Sequence, residues 1–483
     1  IKVSHTDPNI VYAAGIYTYR STNGGNTWQY WDYSPQENPP YTHPDVHQIA
    51  IDPLLSNRIY AFTDGGIYRT DNGGGTWYLK NNNLVTMQFY YAVSAETNEN
   101  VAMGGTQDNG IWVNHHLDTS STWFQYTYGD GFACAIDQTN ENTMYGAELF
   151  QSRMRSTDGG YTYVTIDNGL TESNVFVIPL VIHPTNPAIL FTATNTKIYK
   201  SIDSGFTWVP MVNISYIITF AFDKTNPDIM YAANDPAFSV SRLYRSLDGG
   251  ITWAQVTVPG NKLSDIETDP FQTGVLYVTR ARFTPGYQVW KSPDMGDNWI
   301  NITGDLPAIP ANCFVADPFT PNYFYVGTDL GAFMTSDGGT TWNSFNQGLP
   351  FTVVQDMHFQ KSDTTLRTGT HGRGFWTTKL AHHVPAVIPG VGCVTEFHIA
   401  PNPVSSNAVI SFSNEEGCDV RITVVNQLGQ QVAEIYNGKP ISGIQQITWS
   451  KNNQNGSNVA PGIYYFVVTT NGNATVHKVV VGE

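Results

Sequence analysis

Several short segments of this chain bring together side chains that can bind, donate or accept protons. The first is Thr42-His-Pro-Asp-Val-His47. In an extended chain alternate side chains face one way, so His43, Asp45 and His47 are expected on one side. Two imidazoles and a carboxylate can ligate a transition metal, orient a hydroxyl or relay a proton. They can equally anchor a loop. Asp64, Asp108, Asp130 and Glu148 lie in the polar stretches Thr63–Gly66, Gly105–Gly110, Tyr128–Gly131 and Ala147–Gln151 and are the candidate catalytic acids. Gln107 and Asn109 flank Asp108 as candidate ligand contacts. His371 and Arg373, in Gly369-Thr-His-Gly-Arg-Gly374, can take an anionic group or satisfy backbone carbonyls. Trp31, with Tyr30, Tyr33 and Tyr41 nearby, is the candidate stacking surface for a sugar.

A repeat must position these residues. Ser/Thr-x-Asp-x-Gly-x-Thr-Trp recurs with starts at 21, 70, 156, 201, 246, 292 and 335, and a worn copy at 116 fills the wide gap. The period matches one four-stranded propeller blade. In this turn, the Asp-box, the third residue (Asp158, Asp203, Asp248, Asp294, Asp337) accepts hydrogen bonds from its own loop. The fifth supplies a glycine for positive φ, and the closing Trp wedges between blades. These aspartates are therefore structural. Trp28, Trp77, Trp123, Trp208, Trp253, Trp299 and Trp342 close boxes, which leaves Trp31 without an assigned place. A ninth repeat, Val354 to Trp376, has no box.

The expected fold is all-β. It is either the end of one ring (1–83) followed by a seven-bladed ring (84–380), or a single ring of eight to ten blades. Residues 381–392 read as a linker and 393–483 as a C-terminal β-sandwich. Boxes join third to fourth strands on one face. The candidate residues fall in loops of the opposite face, where propellers usually bind ligands.

Composition removes other classes. A formal charge of −16 disfavours nucleic acid. No stretch approaches the roughly 20 apolar residues of a membrane helix. No cofactor is called for. Cys134 and Cys313 sit in apolar strands as buried thiols, while Cys393 and Cys418 can pair in an oxidising compartment. The opening Ile1 lies in repeat-like text, which implies sequence upstream.

Two resemblances add to this. Pro401-Asn-Pro403, the turn around Gly429, Pro461-Gly-Ile-Tyr464 and Lys478-Val-Val-Val481 resemble the type A C-terminal sorting domain of the type IX secretion system. On that resemblance Pro401, Asn402, Pro403, Gly429, Gly462, Tyr464 and Lys478 form the sorting signal. It implies export from a Bacteroidetes-type cell through the periplasm and outer membrane, with the translocon and an outer-membrane shuttle protein as partners. The repeats resemble secreted sortilin-type and xyloglucanase-type Asp-box proteins, on His43, Asp45, His47, Gln107 to Gly110 and Thr370 to Gly374. The function expected is exported cargo, secreted or at the cell surface, that binds glycan or protein. The alternative is a glycoside hydrolase using two of these carboxylates on opposite sides of a cleft.

Overall fold

In a computed structural model the described residues are 1–31, 42–82, 84–117, 122–149, 152–174, 176–235, 240–380, 394–414, 419–426, 430–440, 443–470 and 473–482. Their regular structure is all β. Eight four-stranded antiparallel sheets follow in chain order, and a three-stranded ninth is built from Val353–Gln360, Thr365–His371 and Phe375–Lys379. The second sheet is typical: Val46–Ile51, Ile59–Thr63, Gly66–Thr70 and Tyr78–Leu79.

The boxes fold as their residue types require. Ser156 Oγ donates to Asp158 Oδ1 (2.7 Å) and accepts from Gly160 N (2.8 Å), while Thr162 N and Oγ1 both donate to the Asp158 carboxylate. Gly159 and Gly160 take positive φ. The same bonds recur at Asp203, Asp248, Asp294 and Asp337, and asparagine replaces the aspartate at Asn23 and Asn72. Residues 118–121 of the worn box that starts at 116 lie outside the described residues.

These bonds favour the charged carboxylate. They hold Asp158, Asp248 and Asp337 down to about 2. Unfolded aspartate titrates near 4. The contribution is therefore fully present above about pH 4 and is lost as pH falls through about 2. Thermal unfolding followed from pH 5 to pH 2 is expected to fall less steeply for Asp158→Asn than for the wild type. Parallel curves would refute the assignment.

The apolar cores lie between consecutive sheets. One joins Tyr145 and Ile166 of the fourth sheet to Leu190, Tyr199 and Trp208 of the fifth. Box tryptophans reach back across these gaps: Trp208 Nε1 donates to Ile166 O, Trp299 to Thr257 O and Trp342 to Ile302 O. Trp28 departs from the expected wedge, because it is 39% exposed in the first sheet.

First strands also meet neighbour to neighbour, through polar groups that the sequence reading passed over. Asp265 Oδ2 accepts from Phe314 N (2.9 Å), and Asn312 Nδ2 donates to Val354 O (3.2 Å). Asp356 Oδ2 accepts from Ala92 N (2.8 Å), and His358 pairs with Ser94. Gly369 lies against Phe89 and Ala92, and Phe375 packs on Trp123. Sheet-to-sheet contacts that start at the third sheet thus return to it from the ninth. Enclosure by protein raises Asp265 to about 6 and Asp356 to about 7, although both side chains keep some solvent contact. Burial likewise pushes the Cys134 and Cys313 thiols up.

By contact density the chain divides into two units, 1–358 with 367–376, and 359–366 with 377–483. The C-terminal strands form a three-stranded and a four-stranded sheet around Ile410, Phe412, Ile422, Val424, Trp449 and Phe466. Cys393, Cys418 and 381–392 lie outside the described residues.

Candidate functional site

The loops opposite the boxes bring most of the candidate residues of the second and third sheets together. In the hairpin after Ala102–Thr106, Asp108 takes φ +59° and its N–H donates to Asp130 Oδ1 (2.7 Å). His43 Nε2 meets Asp108 O at 2.8 Å, and Asn109 Nδ2 donates to Asp64 O at 3.0 Å. Gln107 Oε1 accepts from Tyr90 OH (2.8 Å) and from Gln88 Nε2, and Gln88 bridges to His371 of the ninth sheet. His43, Asp64, Gln107, Asp108, Asn109 and Asp130 thus form one contiguous group, with His371 at its margin. Burial raises the Asp108 carboxyl, and the charges of Asp130 and Asp64 add to it. Tyr90 is pushed to about 12 by burial and then by Asp130 and Asp108.

The expected His43–Asp45–His47 face does not form. Asp45 takes φ +59°, which breaks the extended run on which the alternation depended. His43 turns to Asp108, its Nδ1 2.9 Å from Pro44 O, so both ring nitrogens face carbonyl oxygens. His47 turns to Asp64, with Nε2 to Oδ1 at 2.5 Å. The hydrogen bond and charge of Asp64 raise the His47 pKa. Among the described residues no three His, Cys, Asp or Glu side chains gather as a metal site.

Glu148 borders the group: it pairs with Gly131 beside Asp130, and Leu149 N donates to Asp130 O at 3.0 Å. It is 5% exposed at the end of Asn140–Glu148, and burial raises its pKa against bonds from Thr127 and the Tyr128 backbone. Arg373 is exposed and its N–H donates to Thr370 Oγ1 (3.1 Å), while Thr370 Oγ1 donates to Gly374 O (2.7 Å). That segment is a hairpin that bonds to itself and, through Gly372 N and Gly374 N, to Met87 O. Partial enclosure of the ring lowers the His371 pKa, although the residue as a whole is exposed.

Trp31 is not a stacking surface. It packs on Tyr12 (4.3 Å) and Trp77 (5.1 Å), and its Nε1 donates to Gly73 O on the box face. It follows strand Gln29–Tyr30 as Ile166 and Ile302 follow theirs, in the gap between the first two sheets. The apolar residue three places after most closing box aromatics (Tyr126, Ile166, Met211, Val256, Ile302, Phe345) is the available signal. Tyr33 and Tyr41 lie outside the described residues. The exposed ring beside the acids is Tyr128, at 73% exposure and two residues from Asp130, and the sequence reading did not single it out.

In the C-terminal sandwich, Asn402 Oδ1 accepts from Val480 N (2.8 Å) and Asn402 Nδ2 donates to Lys478 O (3.3 Å). This clasps the Pro401–Pro403 turn to the last strand. Tyr464 OH donates to Ala460 O (2.8 Å), which fixes the turn before Gly462–Thr470. Gly429 lies outside the described residues. Residues 398–482 match the family described as "Secretion system C-terminal sorting domain". This part of the chain is a type IX sorting domain. The protein is therefore exported, to the cell surface or beyond, and is recognised by the secretion machinery.

No curated protein matches the chain. Among solved structures, one similar to it is a GH74 enzyme of Niastella koreensis, with 14% identity, 78% of this chain and 74% of that one covered, and a TM-score of 0.35. A second is PorZ, a surface component of the type-IX secretion system of Porphyromonas gingivalis, with 12% identity, 99% and 74% covered, and a TM-score of 0.47. A third is YCF48 of Cyanidioschyzon merolae, with 11% identity, 61% and 95% covered, and a TM-score of 0.49. No helix among the described residues is long and apolar enough to cross a membrane.

Proposed function

We propose that this exported protein is a non-catalytic binding propeller whose ligand is a hydroxyl-rich glycan. Its sheets three to nine are read as one seven-bladed ring, preceded by two blades that end another. Domain limits of 1–83, 84–380 and 393–483 follow from that reading. The translocon and an outer-membrane shuttle are the partners of the sorting domain during export.

One observation carries the binding site. Tyr128, whose ring is 73% exposed and whose backbone packs on Gly110, adjoins in the chain a contiguous group of acids and amides: Asp64, Gln107, Asp108, Asn109 and Asp130. Sugars are held by that combination, an aromatic face for C–H surfaces and carboxylates or amides for hydroxyls. Asp130 braces a backbone N–H and Asp64 holds His47, so these carboxylates fix loops and leave their remaining lone pairs for ligand.

A glycan array on the full-length protein, repeated with Tyr128→Ala and Asp130→Asn, tests the reading. Wild-type binding should fall about tenfold or more for Tyr128→Ala, the scale of an aromatic contact worth roughly 1.5 kcal/mol. Unchanged binding in both variants would remove the site.

The raised Asp108 carboxyl beside Asp130 favours a second reading, a glycoside hydrolase with Asp108 as proton donor. Release of reducing sugar from a polysaccharide panel, abolished by Asp108→Asn, would replace the first reading with the second.

A further inference from the structure

Three arginines are almost wholly buried, Arg153, Arg280 and Arg367, and the first two differ in how their charge is met. Arg153 is 1% exposed and fully engaged. Its Nε donates to Thr192 Oγ1, Nη1 to Asn174 Oδ1 and Nη2 to Ala193 O, all at 2.7–2.8 Å, and Asp167 lies 3.8 Å from Nη1. Arg280 is 2% exposed and has one bond, from Nη1 to Asn261 O at 2.5 Å. Its Nε and Nη2 are buried with no hydrogen-bond partner among the described residues. The charge that acts on it is a like one, Arg282.

Such a group is costly. A buried charge without a counter-ion loses several kcal/mol of hydration. Burial moves Arg280 only down to about 10, so it stays charged at neutral pH. The two unpartnered nitrogens also share one edge of the guanidinium. Nε–H and Nη2–H point the same way, at the spacing of the two oxygens of a carboxylate.

The location fits a ligand. Arg280 ends strand Leu276–Arg280 of the seventh sheet, on the face opposite the boxes. The loop that enters this sheet, 257–262, forms the roof. Asn261 O holds Nη1, and Gly260 (φ +77°) lies so close that an added Cβ would stand 2.7 Å from Nη1. A larger residue at 260 would press on the guanidinium.

We propose that Arg280 is the floor of an oxyanion site that takes a carboxylate through Nε and Nη2 as the 257–262 loop lifts. The site is on a different sheet from the Tyr128 group and does not depend on that group binding glycan. Its carboxylate can come from a simple organic acid or from an acidic sugar, and the probes separate the two.

Thermal unfolding of the full-length protein is measured with sodium acetate, sodium glucuronate, sodium chloride at matched ionic strength, and glucose. A carboxylate is expected to raise the wild-type midpoint by a few degrees over chloride and glucose. Arg280→Met should abolish that rise. Without ligand, Arg280→Met should be as stable as the wild type or more so, because it removes an unpaired buried charge. If Arg280→Met does not fold, Arg280→Lys makes the comparison: it keeps the charge, loses the two-point edge and should show a clearly smaller rise. A response to acetate and glucuronate alike assigns a simple carboxylate, and a response to glucuronate alone assigns an acidic sugar. No rise in the wild type, or an equal rise in the Arg280 variant that folds, overturns the site.

Discussion

Trp208→Ala is expected to lower the stability of the repeat region by roughly 3–5 kcal/mol, the range for truncating a large buried aromatic. The unfolding midpoint should fall on the order of 10 °C. The indole is 3% exposed, fills the gap between the fourth and fifth sheets, and donates to Ile166 O at 2.5 Å. Alanine leaves a cavity where two sheets meet and orphans a carbonyl. Trp208→Phe keeps most of the ring and loses that bond, so its cost should be smaller, about 1–2 kcal/mol. Trp28→Ala is the internal control. Its ring closes the same motif but is 39% exposed, and its loss should cost about 1 kcal/mol or less. Urea unfolding of the three variants gives the comparison. Equal losses for Trp208 and Trp28 would mean that box tryptophans act within their own turn and not between sheets.

That contrast also marks what the sequence could disclose. The box is a local object: Ser156, Asp158, Gly160 and Thr162 satisfy one another within a few residues, so their types and spacing suffice to read them. Counting periods likewise yielded nine sheets. Trp31 was misplaced because its partners, Tyr12 and Gly73, are distant in sequence and its neighbours in the chain are polar. The His43–Asp45–His47 reading failed on one dihedral angle, since alternation holds only while φ stays extended and Asp45 does not. Asp265, Asn312 and Asp356 are polar residues inside the first strands of their sheets. Their role depends on which sheet lies next to which, and the Asp356 bond to Ala92 spans most of the repeat region. Loop residues such as Asp108 and Asn109 were legible as a polar cluster. Their mutual bonds across two sheets required the fold.

Removing everything after Leu380 is expected to have the larger effect on location and almost none on the stability of the repeats. In its native host the truncated protein should accumulate in the periplasm, with cell-surface and medium fractions falling to background. The reason is a division of labour in the chain. The sorting domain has its own core of Ile410, Phe412, Ile422, Val424, Trp449 and Phe466 and its own pair of sheets, so it can be read by the secretion machinery as a folded object. The repeats carry separate cores between their sheets and keep the ninth sheet in this truncation. Asn402→Ala separates folding from recognition. It breaks both bonds that clasp the Pro401–Pro403 turn to the last strand, a loss of about 1–3 kcal/mol confined to the sandwich. If the machinery reads that turn, export should fall while the repeats unfold at the wild-type midpoint. Fractionation with immunoblotting, run beside thermal unfolding of each purified variant, separates the outcomes. Normal export of the truncation would detach the sorting domain from secretion. Retention together with a lowered midpoint of the repeats would instead make the defect one of folding.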